Sequence, residues 1–167
     1  MNIGEGMSGA VFDSTGKYRY ALWRFWWPEG EKLIFNGLNP SRAGRFNNDP
    51  TVRRMIAFAK SWGFAGLFMA NMYPLVTPEP AEVWSSVATM GEHIKLNDLA
   101  IKRMRELSST AMVGWGNFGA RAGTRPAEVL AILGEPVYCL KTTTMGEPSH
   151  PLYMPSSSQL VPYIRKD

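Results

Sequence analysis

The chain has 167 residues, 45% of them hydrophobic, including six Trp and eight Phe, which excludes a disordered polypeptide and favours one domain, residues 1–167, around one core. A net charge of +4 and a pI of about 9.3 admit a polyanionic partner without requiring one. The single Cys139 excludes an internal disulfide and a cysteine metal cluster, no apolar run approaches the ~20 residues of a membrane span, and MNIGEGMSGAVFDS lacks the basic and apolar regions of a secretory signal, so a cytoplasmic protein without a membrane partner is expected.

Residues 18–26, YRYALWRFW, read as a strand closed by Pro-Glu-Gly at 28–30. A second, buried strand covers 32–38 and runs into Gly37-Leu38-Asn39-Pro40-Ser41. Asp49 before Pro50 has the form of a helix cap followed by proline at the first helical position. The helix predicted over 50–63 places Val52, Ile56 and Ala59 on one side and ends at Gly63. A third strand covers 65–73. Pro74, Pro78 and Pro80 then predict a loop. A helix over 92–107 follows, with Ile94, Leu99, Ile101 and Met104 among its apolar positions. A strand at 110–115, the turn GWGNFG, a helix around 126–133, a strand at 136–140 and a proline-broken tail, EPSHPLYMP, complete the chain. This alternation predicts a parallel sheet with helices on both faces and a site at the carboxyl ends of the strands.

Several common signatures are missing, among them a Walker lysine motif, a GxGxxG turn, HExxH and CxxC. The glycines of GWGNFG are read as a tight turn packed close to a neighbour. His93, at the start of a helix, reads as exposed, whereas His150 is held between Pro148 and Pro151 in a restricted backbone. Asn39 and Asn71 close consecutive strands. Such residues ordinarily cap turns with their own side chains, yet two amides at one sheet edge also offer a donor and an acceptor for a ligand. Asp49 is the nearest carboxylate, and its cap position is favoured over a general-base role. Arg42, Arg45, Arg53 and Arg54 crowd the same region, either as a solvated helix face or as phosphate contacts.

Taken in order, these segments resemble a known pattern. Gly37-Leu38-Asn39-Pro40-Ser41 is similar to the first motif of the uracil-DNA glycosylase superfamily, in its mismatch-specific, thymine-glycosylase-like branch. Residues 67–78, LFMANMYPLVTP, resemble its second strand, 112–120 its Gly turn, and 149–154, SHPLYM, its His-Pro motif. The tail departs from that pattern, with His-Pro-Leu-Tyr where the best-known members have His-Pro-Ser-Pro. The whole chain also resembles a bacterial and phage domain family of unknown function carrying NPS, DPTxRR, WG and HPLY.

The superfamily resemblance implies a three-layer α/β/α fold around a mostly parallel four- to five-stranded sheet. It implies a monofunctional DNA glycosylase that flips a pyrimidine out of double-stranded DNA and leaves an abasic site, acting as a monomer with neither cofactor nor metal. In that reading Asn39 holds the attacking water, Asn71 bonds the base and His150 donates to the base oxygen. Gly37, Leu38, Pro40 and Ser41 line the base pocket, with Phe46 as stacking ring and Trp115 second. Arg42, Arg45, Arg53 and Arg54 grip phosphates, and Pro151, Leu152 and Tyr153 meet the duplex, with Leu152 or Tyr153 as the wedge. Strictly uracil-specific members carry Tyr where this chain has Ser41, which implies room for a 5-substituted base and a role against phage with modified genomes. Two other classes stay open: an inactive nucleic-acid-binding module of the same fold, and a hydrolase of free nucleosides or nucleotides.

Overall fold

Seven strands form one mixed sheet in the computed structural model, which describes residues 1–165. They are β1 (Ser8–Phe12), β2 (Arg19–Phe25), β3 (Lys32–Gly37), β4 (Gly66–Asn71), β5 (Thr110–Val113), β6 (Val137–Cys139) and β7 (Val161–Pro162), in the order β1-β2-β4-β3-β5-β6-β7. The central four, β4-β3-β5-β6, are parallel. Their near-continuous apolar sequences suit strands buried on both faces. Antiparallel strands flank them, β1 and β2 on one edge and β7 on the other. The expected four to five strands therefore correspond to β2 through β6 and miss the outermost two, β1 and β7. β1, SGAVF, lacks regular alternation, and β7 is two residues long, too short to leave a pattern.

The helices are α1 (Pro50–Ser61), α2 (Pro80–Ser86), α3 (Gly91–Glu106) and α4 (Arg125–Leu133). Successive residues of a strand point to opposite faces, and each face of β3 and β4 builds its own core. Leu33, Phe35, Leu67 and Met69 meet Val52, Met55, Phe58 and Ala59 of α1. Ile34, Phe68 and Ala70 meet Val83 of α2, Ala100, Ile101 and Met104 of α3 and Val129 of α4. The Asp49 carboxylate caps α1, its Oδ1 accepting from Val52 N–H over 2.8 Å.

Four local expectations are corrected. Ile56 is only half-buried, because Met55 and Phe58 carry the inner stripe of α1. Leu99 is 61% exposed, since Asn97, Ala100, Ile101 and Met104 are the residues of α3 turned inward. The proline-rich stretch contains α2, whose Pro80 occupies the first turn, where no amide hydrogen is needed. His93 is half-buried, stacked on Tyr18 with ring centroids 3.7 Å apart and bonded through Nδ1 to Tyr20 Oη over 2.6 Å. α3 lies across β2 and covers it there.

Strands β3 and β5 are neighbours whose continuations part. The chain leaves β3 toward α1 on one face, and the stretch after β5 leads to α4 on the other. Between two such strands the sheet leaves a crevice at their carboxyl ends, the usual ligand position in open α/β sheets.

Candidate functional site

The crevice holds a cavity of about 270 Å³. That is near the lower end of the ~300–1,000 Å³ of ligand clefts, room for one ring rather than an extended ligand. The structure brings Gly37, Leu38, Asn39, Pro40, Ser41, Asn71, Trp115, His150, Leu152 and Tyr153 together around it.

Asn39 sits just beyond β3. Three carbonyl oxygens surround its Nδ2, Thr77 at 2.8 Å, Pro40 at 3.0 Å and Leu75 at 3.3 Å. Carbonyls only accept, so this end of the amide is the NH2 and Oδ1 is the end left without a protein donor among the described residues. Asn71, the last residue of β4, has the opposite arrangement. Its Oδ1 accepts from Arg19 Nη2 over 3.2 Å, which leaves Nδ2 as a donor without a protein acceptor among the described residues. Asn97 supports the same corner by donating to the Asn71 and Met72 carbonyls over 2.9 and 3.3 Å. The two cavity amides thus have opposite polarity: an acceptor at 39 and a donor at 71.

Arg19 escaped the sequence reading. It begins β2, and β2 runs antiparallel to β4, so a strand's first residue lies at the edge where its neighbours end. Only 3% of the residue is exposed, and Nη1 donates to Ala43 O over 2.8 Å. Burial pulls its pKa down to about 10, partly offset by the Asp49 carboxylate, so the guanidinium stays charged at neutral pH. Asp49 also lines the cavity, but both its oxygens accept backbone amides, Oδ1 from Val52 and Oδ2 from Ala43 over 3.3 Å.

His150 precedes a short 3-10 turn, Pro151–Tyr153, and its Nδ1 accepts from Leu152 N–H over 3.3 Å. A backbone amide only donates, so Nδ1 carries the lone pair and Nε2 carries the proton. Burial lowers the His150 pKa below its ordinary 6.5, with the Asp49 charge opposing. The imidazole is therefore neutral at neutral pH, with Nε2–H as its donor.

Trp115 is 1% exposed and its indole N–H donates to Glu147 Oε2 over 2.7 Å. It is a fixed wall. The glycines of the GWGNFG turn make the close approaches expected of them. A Cβ at Gly119 would lie 2.3 Å from Trp115 Nε1 and from Glu147 Oε2, and one at Gly114 would lie 2.8 Å from the Phe35 ring.

Three sequence assignments are corrected. Phe46 is 90% exposed on the loop before α1, with the Arg45 guanidinium over its ring, and it does not line the cavity. The rings that do, besides Trp115 and Tyr153, are Phe35 of β3 and the exposed Phe118. Phe35 could not be singled out from the sequence because it reads as an ordinary strand residue. Pro151 is buried, packed at Gly114, rather than presented to a duplex. Arg54 is turned inward: it donates to Met154 O and to Ser156 Oγ and lies 4.7 Å over the Phe58 ring. It ties the His150 turn to α1. Arg42, Arg45 and Arg53 are exposed and do not line the cavity, though they lie close in sequence to its residues Ser41, Asp49 and Thr51, whereas Leu152 and the 85% exposed Tyr153 do line it. Among the described residues no three His, Cys, Asp or Glu side chains converge as a metal-ligand set, and no helix is long and apolar enough to cross a membrane.

Fold and site together define an α/β protein with a one-ring, hydrogen-bonding cavity at a topological switch point. The chain belongs to the family described as protein of unknown function (DUF1643), whose model matches residues 19–152. No curated protein and no solved structure matches it.

Proposed function

We propose that the protein is a monofunctional DNA glycosylase with a uracil-DNA glycosylase-like fold that excises a 5-substituted pyrimidine from duplex DNA. The observation that carries this reading is the set of three hydrogen-bonding groups of fixed polarity around a cavity of one-ring size. These are Oδ1 of Asn39, Nδ2 of Asn71 and Nε2–H of His150. Breaking the N-glycosidic bond leaves positive charge on the sugar and negative charge on the base. Asn71 and His150 supply donors for the oxygens of that base. Asn39 Oδ1 accepts a hydrogen from water and turns its lone pair toward C1′. An amide takes up no proton, so the sugar cation forms before water adds; the water oxygen then bonds C1′ and its proton passes, directly or through solvent, to the departed base anion, which leaves as the neutral base. Such an enzyme acts on bases that are already good leaving groups or poorly paired.

Ser41 lines the cavity, and in this reading its small side chain is what admits a substituent on the pyrimidine C5. Modified phage genomes supply such bases, which fits a role in defence. Tyr153 and Leu152 at the mouth take the place of the extracted base, and Arg42, Arg45 and Arg53 hold flanking phosphates.

The test is to incubate the protein with duplexes carrying uracil, mismatched thymine or glucosylated 5-hydroxymethylcytosine, then cleave abasic sites with alkali. Strand breaks are expected on at least one 5-substituted substrate, and Ser41→Tyr should reduce that activity relative to uracil by about tenfold or more, the scale on which a pocket rejects added carbons. No breaks on any duplex rejects the reading. Base released from mononucleotides alone makes the protein a nucleotide hydrolase instead.

A further inference from the structure

Beneath the cavity lies a buried cation that the proposed reaction has not yet used. Arg19 is almost fully buried and lines the cavity. Among the described residues no carboxylate forms an ion pair with it. Its bonds go to two neutral oxygens, Ala43 O and Asn71 Oδ1. The nearby Asp49 carboxylate accepts the amides of Val52 and Ala43, keeps its charge and offsets part of that of Arg19 without pairing with it. Buried Arg24 lies close enough to act on Arg19 and also bonds only neutral oxygens, so two guanidiniums against the one Asp49 carboxylate leave the cavity floor net positive, and burial weakens the screening that water would provide. Arg19 also fixes the direction of the Asn71 amide and polarises it, because a hydrogen bond to Oδ1 strengthens the donor on Nδ2.

We propose that Arg19 is a positioning residue that holds Asn71 as a donor and sets the cavity to bind a pyrimidine ring in its anionic form in preference to the neutral ring. The class of ligand is a deprotonated heterocycle with in-plane oxygen acceptors. In the proposed glycosylase reaction that species is the departing base, so the inference deepens that reading. It does not depend on DNA, however, and is measured without it.

The experiment titrates the whole protein by calorimetry at pH 8 with 5-nitrouracil, whose ring is then an anion, and with uracil, which is then neutral. Wild-type protein should bind the anion more tightly by about tenfold or more, the ratio expected when one hydrogen bond becomes charge-assisted. Arg19→Met should abolish that ratio, and Arg19→Lys should restore part of it, which a merely structural role for the side chain would not do. Removing a buried arginine risks unfolding, so Asn71→Asp is the second variant. Its carboxylate pairs with Arg19, keeps the fold and cancels the charge, and the preference should vanish or invert. Equal affinities in the wild type, no binding of either ring, or a preference that survives in Arg19→Met or Asn71→Asp overturns the proposal. An anion preference without alkali-labile sites on any duplex leaves the inference standing and removes the glycosylase reading alone.

Discussion

Asn39 Nδ2 lies 2.8 Å from Thr77 O, so the amide that offers an acceptor to the cavity also anchors the loop at its edge. The same NH2 meets Pro40 O and Leu75 O, and one small side chain thereby fixes two chain segments far apart in sequence. Replacing it acts on both functions. Asn39→Asp keeps the size but sets a carboxylate against three carbonyl oxygens, with no hydrogen to donate. It should lower stability by about 1–3 kcal/mol, the scale of a lost bond that leaves buried acceptors unmet, read from urea unfolding. A variant that unfolds with the wild-type midpoint would show that these bonds do not support the loop.

Asp49 allows the cap and the general base to be told apart. Asn is as good a helix cap as Asp, whereas Ala costs about 0.5–2 kcal/mol. Asp49→Ala should therefore melt earlier. Asp49→Asn should keep the cap bond to Val52 N–H and melt later than Asp49→Ala, losing the longer contact to Ala43 and the charge that offsets buried Arg19. With both oxygens already holding backbone amides, the cap role is favoured over that of a base, and on that reading Asp49→Asn should retain most strand-cleaving activity. A stable but inactive Asp49→Asn assigns the proton to this carboxylate instead.

The acidity of His150 gives a pH dependence with a definite sign. Its folded pKa lies below 6.5 because burial disfavours the imidazolium. As pH falls through 6.5 the unfolded chain binds a proton that the folded chain does not, so stability declines there and keeps falling until the folded pKa is passed. Above 6.5 both states are neutral at this residue and its contribution is flat. Protonating Nδ1 in the folded state would set it against Leu152 N–H and open the turn. Activity should therefore persist through 6.5 and fall only at lower pH. His150→Gln should flatten this part of the stability profile and slow excision by about 10²-fold, as for loss of one donor to a developing oxyanion. An activity loss that begins well above 6.5 contradicts the assignment.

The arginines divide into two groups by what they touch. Arg42 and Arg53 are exposed, and each change to Gln should lower the slope of log affinity against log salt by about 0.9 for one phosphate contact; melting should not change for Arg42→Gln and should fall slightly for Arg53→Gln, which loses the bond to Asn48 O. Arg54 stacks on Phe58 and bonds the segment after the His150 turn. Arg54→Gln should melt earlier and leave the salt slope as it is. If Arg54→Gln changes the slope and not the melting, the placement of these side chains relative to DNA is reversed.

By itself the sequence determined the central parallel strands, three of the four helices, the cap at Asp49 and the sheet edge where Asn39, Asn71 and His150 meet. Those features rest on local rules: apolar runs set strands, Asp-Pro starts a helix, and parallel strands end on one edge. The polarity of each amide was not legible, because it depends on carbonyls of residues 75 and 77 for Asn39 and on a guanidinium from another strand for Asn71. Nor was the inward turn of Arg54 or the outward turn of Phe46, since a charged residue on a helix and an aromatic on a loop are each compatible with burial and with exposure. Arg19 shows the reason most directly. In the sequence it is one cation in an aromatic-rich strand. Only the antiparallel pairing of β2 with β4 brings that strand's first residue to the edge where β4 ends, under Asn71.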